Sequence, residues 1–128
     1  MQYLHTMVRI SNIQQSLDFY CTAMGMVEQR RYENPNGRFT LISVAAPESP
    51  ESPVELTYNW GVESYDMGTA YGHVALGMSD IYAACAQIQA AGGNVTRAPG
   101  PVKGGTTVIA FITDPDGYKV ELIQRNFS

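Results

Sequence analysis

The sequence is poor in histidine, in cysteine and in runs of like charge, and each scarcity narrows the possible functions. The chain of 128 residues has two histidines and two cysteines, and its formal net charge is −4. Because lysine and arginine form no run longer than the pair at 30–31, we expect no nucleic-acid partner and no anionic membrane partner. No apolar run approaches the ~20 residues of a membrane-spanning helix, and the first residues do not resemble a signal peptide. We therefore expect a cytoplasmic protein.

The small number of cysteines and the absence of common metal-binding motifs limit the possible types of site further. Cys21 and Cys85 both fall in helical patterns, so two buried thiols in a reducing compartment are the favoured interpretation and a disulfide is the alternative. The sequence has neither an HExxH nor a CxxC motif. A metal or catalytic site must therefore be assembled from residues far apart in the chain.

An internal repeat is the main feature that the sequence does contain. Shifting the chain by 68 residues places His5 on His73 and aligns the helical patterns that follow each of them. The tripeptide VEL at 54–56 recurs at 120–122, so the distance from histidine to glutamate is similar in the two halves. We expect one domain over 1–128, built from two modules at about 1–62 and 70–128.

Each module has the pattern of one strand, one helix and further strands. The first helix is expected to begin after Asn12, with Gln15 completing the cap, and to end at Gly25. Its predicted buried stripe comprises residues 13, 17, 20, 21 and 24; the second helix follows Asp80, buries residues 81, 85 and 88, and ends at Gly92 and Gly93. The loop at 47–53 and the turn DPDG at 114–117 separate later strands. We predict an α+β fold of two tandem βαβββ modules, with helices outside curved mixed sheets.

Strand alternation places two histidines and two glutamates on the strand faces that point away from the helices. In each of four strands the aliphatic residues share the face that can pack under a helix, and the other face carries His5, Glu55, His73 and Glu121. Ionised groups are costly to bury without partners, and two nitrogen with two oxygen ligands suit a divalent cation that keeps positions for water or substrate. The symmetric placement favours a metal site over four unrelated side chains.

The chain resembles the glyoxalase I family of the vicinal-oxygen-chelate superfamily, in its shorter bacterial form. The resemblance covers nearly the whole length and is carried by LHTMVRI at 4–10, SLDFY at 16–20, ELTYNWG at 55–61, YGHVAL at 71–76 and AFITDPDGYKVELI at 110–123. It implies a homodimer with metal sites at the subunit interface. Each site would take His5 and Glu55 from one subunit and His73 and Glu121 from the other. His5, where some members have Gln, and the short segment between Trp60 and Tyr71 favour Ni²⁺ or Co²⁺ over Zn²⁺.

The resemblance also implies a reaction and a thiol. Members of the family isomerise the hemithioacetal of methylglyoxal and glutathione to S-lactoylglutathione, with the metal as Lewis acid for the developing enediolate. Glu121 would be the principal base, and Glu55 would act from the opposite side of the intermediate. Arg9 and Asn59 match glutathione contacts of the family, and each shares a strand face with a predicted ligand. Lys103 is either a further cation near the glutathione or an exposed lysine in an ordinary hairpin turn.

Other functions on the same scaffold remain as alternatives. An extradiol dioxygenase or a thiol transferase would use a similar site, and a CoA-ester epimerase would share the proton abstraction. A dioxygenase needs only three protein ligands, whereas this chain offers a fourth carboxylate, and ELTYNWG favours the glyoxalase interpretation over the epimerase. A ligand-binding relative without catalysis has no need of four metal ligands.

Overall fold

A computed structural model describes residues 1–127 and divides the chain into two compact units. The first unit comprises Met1–Asp66, and the second begins at Met67. Both have the same order of elements, strand, helix and three strands, so the predicted tandem βαβββ modules and the α+β class are confirmed. No helix among the described residues is long and apolar enough to span a membrane.

The first unit is a four-stranded mixed sheet with one short helical segment. Its elements are β1 (Thr6–Ile10), α1 (Ile13–Leu17), a π-helical turn (Asp18–Ala23), β2 (Val27–Asn34), β3 (Phe39–Ala45) and β4 (Val54–Asn59). The strand order is β1-β4-β3-β2, with β1 parallel to β4 and the other pairs antiparallel. The core side of this sheet is formed by alternate aliphatic residues, among them Ile10, Ile42 and Leu56, each 0% exposed.

The second unit repeats this topology. Its elements are β5 (His73–Met78), α2 (Ile81–Ala90), β6 (Asn94–Pro101), β7 (Val108–Thr113) and β8 (Lys119–Gln124), in the strand order β5-β8-β7-β6. Again only the first pair of that order is parallel. Ile112 and Leu122 are fully buried beside Ile81 and Ile88 of α2 in the core of this unit.

The predicted helix caps are present in both units. The Asn12 side chain accepts a hydrogen bond from the Gln15 amide at 2.9 Å, and Asp80 accepts one from the Ala83 amide at 3.0 Å. Gly25 and Gly92 have φ angles of 84° and 86°, so each ends its helix in the left-handed conformation that glycine adopts without strain.

The predicted buried stripe of the first helix was right at residue 20 and wrong at its other four positions, because the helix does not stay α-helical. From Asp18 onward it becomes a π-helical turn, in which the Met24 amide donates to the Phe19 carbonyl. The extra residue per turn rotates the face. The buried positions are Ser16, Phe19, Tyr20 and Ala23, whereas residues 13, 17, 21 and 24 are only half-buried. In α2 the prediction is confirmed, with Ile81, Cys85 and Ile88 buried.

Candidate metal and thiol site

Each unit brings one histidine and one glutamate together on the sheet face away from the core. The Nε2 atom of His5 lies 3.5 Å from Oε2 of Glu55, and the Nε2 atom of His73 lies 3.1 Å from Oε1 of Glu121. The imidazoles are 38% and 41% exposed and the carboxylates 18% and 17%, so the two pairs have matching environments. They are therefore equivalent by position as well as by residue type.

The strand register explains why the pairs form. Glu55 pairs with Met7 of the parallel neighbour β1, and Glu121 pairs with Ala75 of β5. Each histidine precedes that paired residue by two positions, which returns its side chain to the same face of the sheet. His5 itself lies one residue before β1, whereas the strand alternation predicts it to lie within the strand.

The spacing of the paired atoms fits a shared cation. Two ligand atoms bonded to one ion at about 2.1 Å lie about 3.0 to 3.4 Å apart at bond angles between octahedral and tetrahedral. The two nitrogen-to-oxygen distances above are close to that range. Among residues 1–127 no group of three or more histidine, cysteine, aspartate or glutamate side chains could hold an ion. The predicted ligands are present as two pairs, one in each unit.

The surroundings of the two pairs differ. Phe111 of β7 is paired in register with Glu121, and its ring meets the His73 ring edge to face with centroids 5.5 Å apart. Ser43 occupies the corresponding place beside Glu55. Only the pairing of the strands reveals the contact of Phe111 with His73.

A second aromatic contact supports the chain just before His73. The rings of Tyr71 and Tyr118 meet edge to face at 5.2 Å, and burial together with the nearby Asp114 carboxylate raises the pKa of Tyr71. Asp114 also accepts hydrogen bonds from the amides of Asp116 and Tyr118, both at 2.9 Å, within the predicted DPDG turn. The Tyr71–Tyr118 contact joins the residues that precede β5 and β8, two strands that pair in register.

Arg9 and Asn59, the residues predicted to contact glutathione, lie on the same sheet face as His5 and Glu55. Arg9 pairs with Thr57, and Thr57 lies between Glu55 and Asn59 on that face of β4. Thr57 is 8% exposed, and its hydroxyl has no partner within the part of the chain that the structure describes. A buried hydroxyl of this kind is a natural hydrogen-bonding point for a polar ligand.

Side-chain contacts of Asn59 and Trp60 stabilise the end of β4. The Trp60 indole donates a hydrogen bond at 2.9 Å to Thr40, whose side chain is buried, and its ring lies 5.8 Å from the Arg38 guanidinium. The Asn59 amide donates at 3.1 Å to the hydroxyl of Tyr65. No sequence pattern points to Tyr65, because the segment after Gly61 has no regular secondary structure.

Lys103 of the second unit lies in the loop between β6 and β7. The loop is closed by a hydrogen bond from the Val102 amide to the Thr107 carbonyl at 2.8 Å, and Lys103 is exposed. Gly104 has a φ angle of 77°, which a tight turn of this kind requires. This geometry is that of a hairpin turn, and a role for Lys103 in binding stays a prediction.

Comparison with known proteins identifies the superfamily of the chain. Residues 2–122 match the profile of the Glyoxalase/Bleomycin resistance protein/Dioxygenase superfamily. The chain belongs to this superfamily. It is 55% identical over 126 residues to a protein from Escherichia coli O157:H7 named lactoylglutathione lyase, covering 98% of this chain and 93% of that protein. A probable lactoylglutathione lyase of Vibrio cholerae is 56% identical over 123 residues, with 95% and 89% covered.

Solved structures of the same superfamily share the fold. Glyoxalase I from Zea mays superposes with a TM-score of 0.93 and 43% identity over 99% of this chain. The chain spans 46% of the maize protein, slightly less than half of its length. Leishmania major glyoxalase I, described as trypanothione-dependent, superposes with a TM-score of 0.83 and 34% identity, covering 97% of this chain and 86% of that one.

Proposed function

We propose that the protein isomerises the hemithioacetal of methylglyoxal and glutathione to S-lactoylglutathione, and so detoxifies methylglyoxal. The observation that carries the proposal is the pair of equivalent histidine–glutamate contacts, at 3.5 Å and 3.1 Å, in a chain more than half identical to proteins named for this activity. The fourth ligand candidate argues against a dioxygenase, which needs three protein ligands and open positions for oxygen.

The residues fit a divalent cation with nitrogen and oxygen ligands. His5 and Glu55 would supply one half of its ligands, and His73 and Glu121 the other half. We propose that the two halves come from different subunits of a homodimer, as the resemblance to the family implies. When bound, the cation supplies Lewis-acid stabilisation of negative charge on the substrate oxygens. Ni²⁺ and Co²⁺ are the proposed metals, since the first ligand is His5.

Proton transfer is assigned to the carboxylates. The C–H bond beside a carbonyl is a weak acid, so a positioned base must remove its proton and return one to the neighbouring carbon. Glu121 is the proposed principal base, and the adjoining Phe111 keeps part of its surroundings apolar. Glu55 would handle the proton on the opposite side, where Ser43 leaves a more polar neighbourhood.

Glutathione binds to the sheet face of the first unit that carries His5 and Glu55. Glutathione has two carboxylates, an ammonium group and two peptide bonds, so it needs both a cation and neutral polar groups. Arg9 supplies the cation, and Asn59 and the unpartnered hydroxyl of Thr57 supply the polar groups. A cytoplasmic location, where glutathione is kept reduced, agrees with the two free cysteines of the chain.

The deciding experiment is thioester formation by the purified protein. The metal is removed with a chelator, the protein is reconstituted with Ni²⁺, Co²⁺ or Zn²⁺ separately, and the ultraviolet absorbance of the thioester product is followed with methylglyoxal and glutathione. We expect activity that depends on the added metal and is highest with Ni²⁺ or Co²⁺. If no metal produced thioester, the proposed reaction would be wrong, and oxygen uptake with catechols or thiol transfer to epoxides would be measured next.

A further inference from the structure

Tyr65 lies outside every regular element of the first unit, yet its hydroxyl contacts a residue of the proposed thiol site. It belongs to the irregular segment that follows Gly61, and it is half-buried. The Asn59 side-chain amide donates a hydrogen bond to the Tyr65 hydroxyl at 3.1 Å. This is good hydrogen-bond geometry for a nitrogen donor and an oxygen acceptor.

The bond restricts an otherwise mobile group. An asparagine side chain at a strand end can rotate about two torsions, and its two ends have opposite hydrogen-bonding character. The hydrogen bond to Tyr65 restricts this rotation, with the carboxamide nitrogen of Asn59 facing the hydroxyl. The backbone around it is also held, because the Val62 amide donates to the Asn59 carbonyl at 3.1 Å and the Trp60 amide donates to the Arg38 carbonyl at 2.9 Å.

We infer that Tyr65 is a positioning residue that holds the Asn59 carboxamide ready to bind the peptide portion of the thiol. The inference rests on the proposed function and adds to it a residue that determines thiol affinity. Preorganising a polar group lowers the entropic cost of binding without any new contact to the ligand. The expected result of losing Tyr65 is therefore weaker thiol binding with little change in the chemical step.

The test measures binding and turnover separately in Tyr65→Phe, which removes only the hydroxyl. Affinity for S-methylglutathione, which cannot react, is measured by calorimetry, and KM and kcat are measured with the hemithioacetal. We expect the Kd and KM to rise about three- to tenfold, as the loss of one hydrogen bond predicts, and kcat to stay within about twofold. The matched control is Tyr82→Phe, since Tyr82 is 59% exposed on α2.

A double-mutant cycle distinguishes positioning from a general structural effect. If Tyr65 acts through Asn59, Tyr65→Phe should change the Kd little further in an Asn59→Ala background. An unchanged Kd in Tyr65→Phe, or an additive effect in the double variant, would overturn the inference and leave the proposed function intact. A wild-type protein that neither binds S-methylglutathione nor forms thioester would instead overturn the proposed function, and this inference with it.

Discussion

Glu121 and Phe111 are register partners on neighbouring antiparallel strands, and the same Phe111 ring meets the His73 ring edge to face. The Phe111 side chain therefore lies beside both predicted ligands of the second unit, Glu121 and His73. The equivalent partner of Glu55 is the small polar Ser43. The two halves of the duplicated chain thus keep the same predicted ligands and differ in how apolar the neighbourhood of the glutamate is. The role of Glu121 as the main base stays a proposal.

Replacing Glu121 by Gln should abolish most of the proton transfer while leaving the fold intact. Gln keeps the size and an oxygen for the metal but cannot accept a proton, so kcat should fall about 10²- to 10⁴-fold. Thioester formation is measured together with metal content, and Glu51→Gln, in the exposed loop before β4, is the control. Turnover equal to that of the wild type would remove Glu121 from the role of base.

Mixed dimers test whether one site takes its ligands from two subunits. Glu55→Ala and Glu121→Ala should each be nearly inactive alone, because each damages both sites of a homodimer. When the two variants are co-expressed, a mixed dimer has one site with all four ligands, so random pairing should restore about a quarter of the wild-type activity.

The control for that experiment is a pair of variants with the same half damaged. Co-expression of His5→Ala with Glu55→Ala leaves every site without a complete first half, so it should restore nothing. Absence of recovery in the first mixture, with mixed dimers demonstrated by differently tagged chains, would show that the four ligands are not shared between subunits.

The repeat and the strand alternation predicted most of the fold, because they depend on local pattern. Glu55 and Glu121 lie in strands whose aliphatic neighbours are buried, as expected for period-two burial. The strand β2 shows no alternation of apolar and polar residues, since it lies at the sheet edge and is exposed along nearly its whole length. An edge strand with both faces in solvent has no alternation that a sequence pattern could reveal.

The parts of the site that the sequence missed depend on pairing between strands and on loops. The contact between Phe111 and His73 follows from the β7–β8 register, which no local pattern encodes. Tyr65 reaches Asn59 across an irregular loop. The π-helical turn changed the buried face of the first helix for a similar reason, since one shifted hydrogen bond is set by packing and not by residue type.

Thr40 should be important for stability through its bond to Trp60. Thr40→Val preserves shape but leaves the indole N–H without its acceptor, so the free energy of unfolding should fall by about 1 kcal/mol. Urea unfolding followed by the fluorescence of Trp60, the only tryptophan of the chain, measures this change. The control is Thr69→Val in an exposed loop, and an equal loss there would show that the hydrogen bond has no special role.

The two thiols should be slow to react with alkylating reagents in the folded protein. Burial raises the pKa of both Cys21 and Cys85, and the Glu28 carboxylate adds to the effect at Cys21. A raised pKa means less thiolate than an ordinary cysteine has at the same pH, so the alkylation rate should remain low at pH 8 and increase as the solution becomes more alkaline. The rate is measured by mass spectrometry against the unfolded chain in urea.

The alkylation rates also distinguish Cys21 from Cys85. Cys21 is half-buried and should react before Cys85, which is 5% exposed. Glu28→Gln removes the neighbouring negative charge, so it should lower the pKa of Cys21 and speed its alkylation without changing Cys85. Glu33→Gln, near the end of the same strand, is the control. If Cys85 reacted first, or if Glu28→Gln slowed the reaction of Cys21, the burial and charge assigned to these thiols would be incorrect.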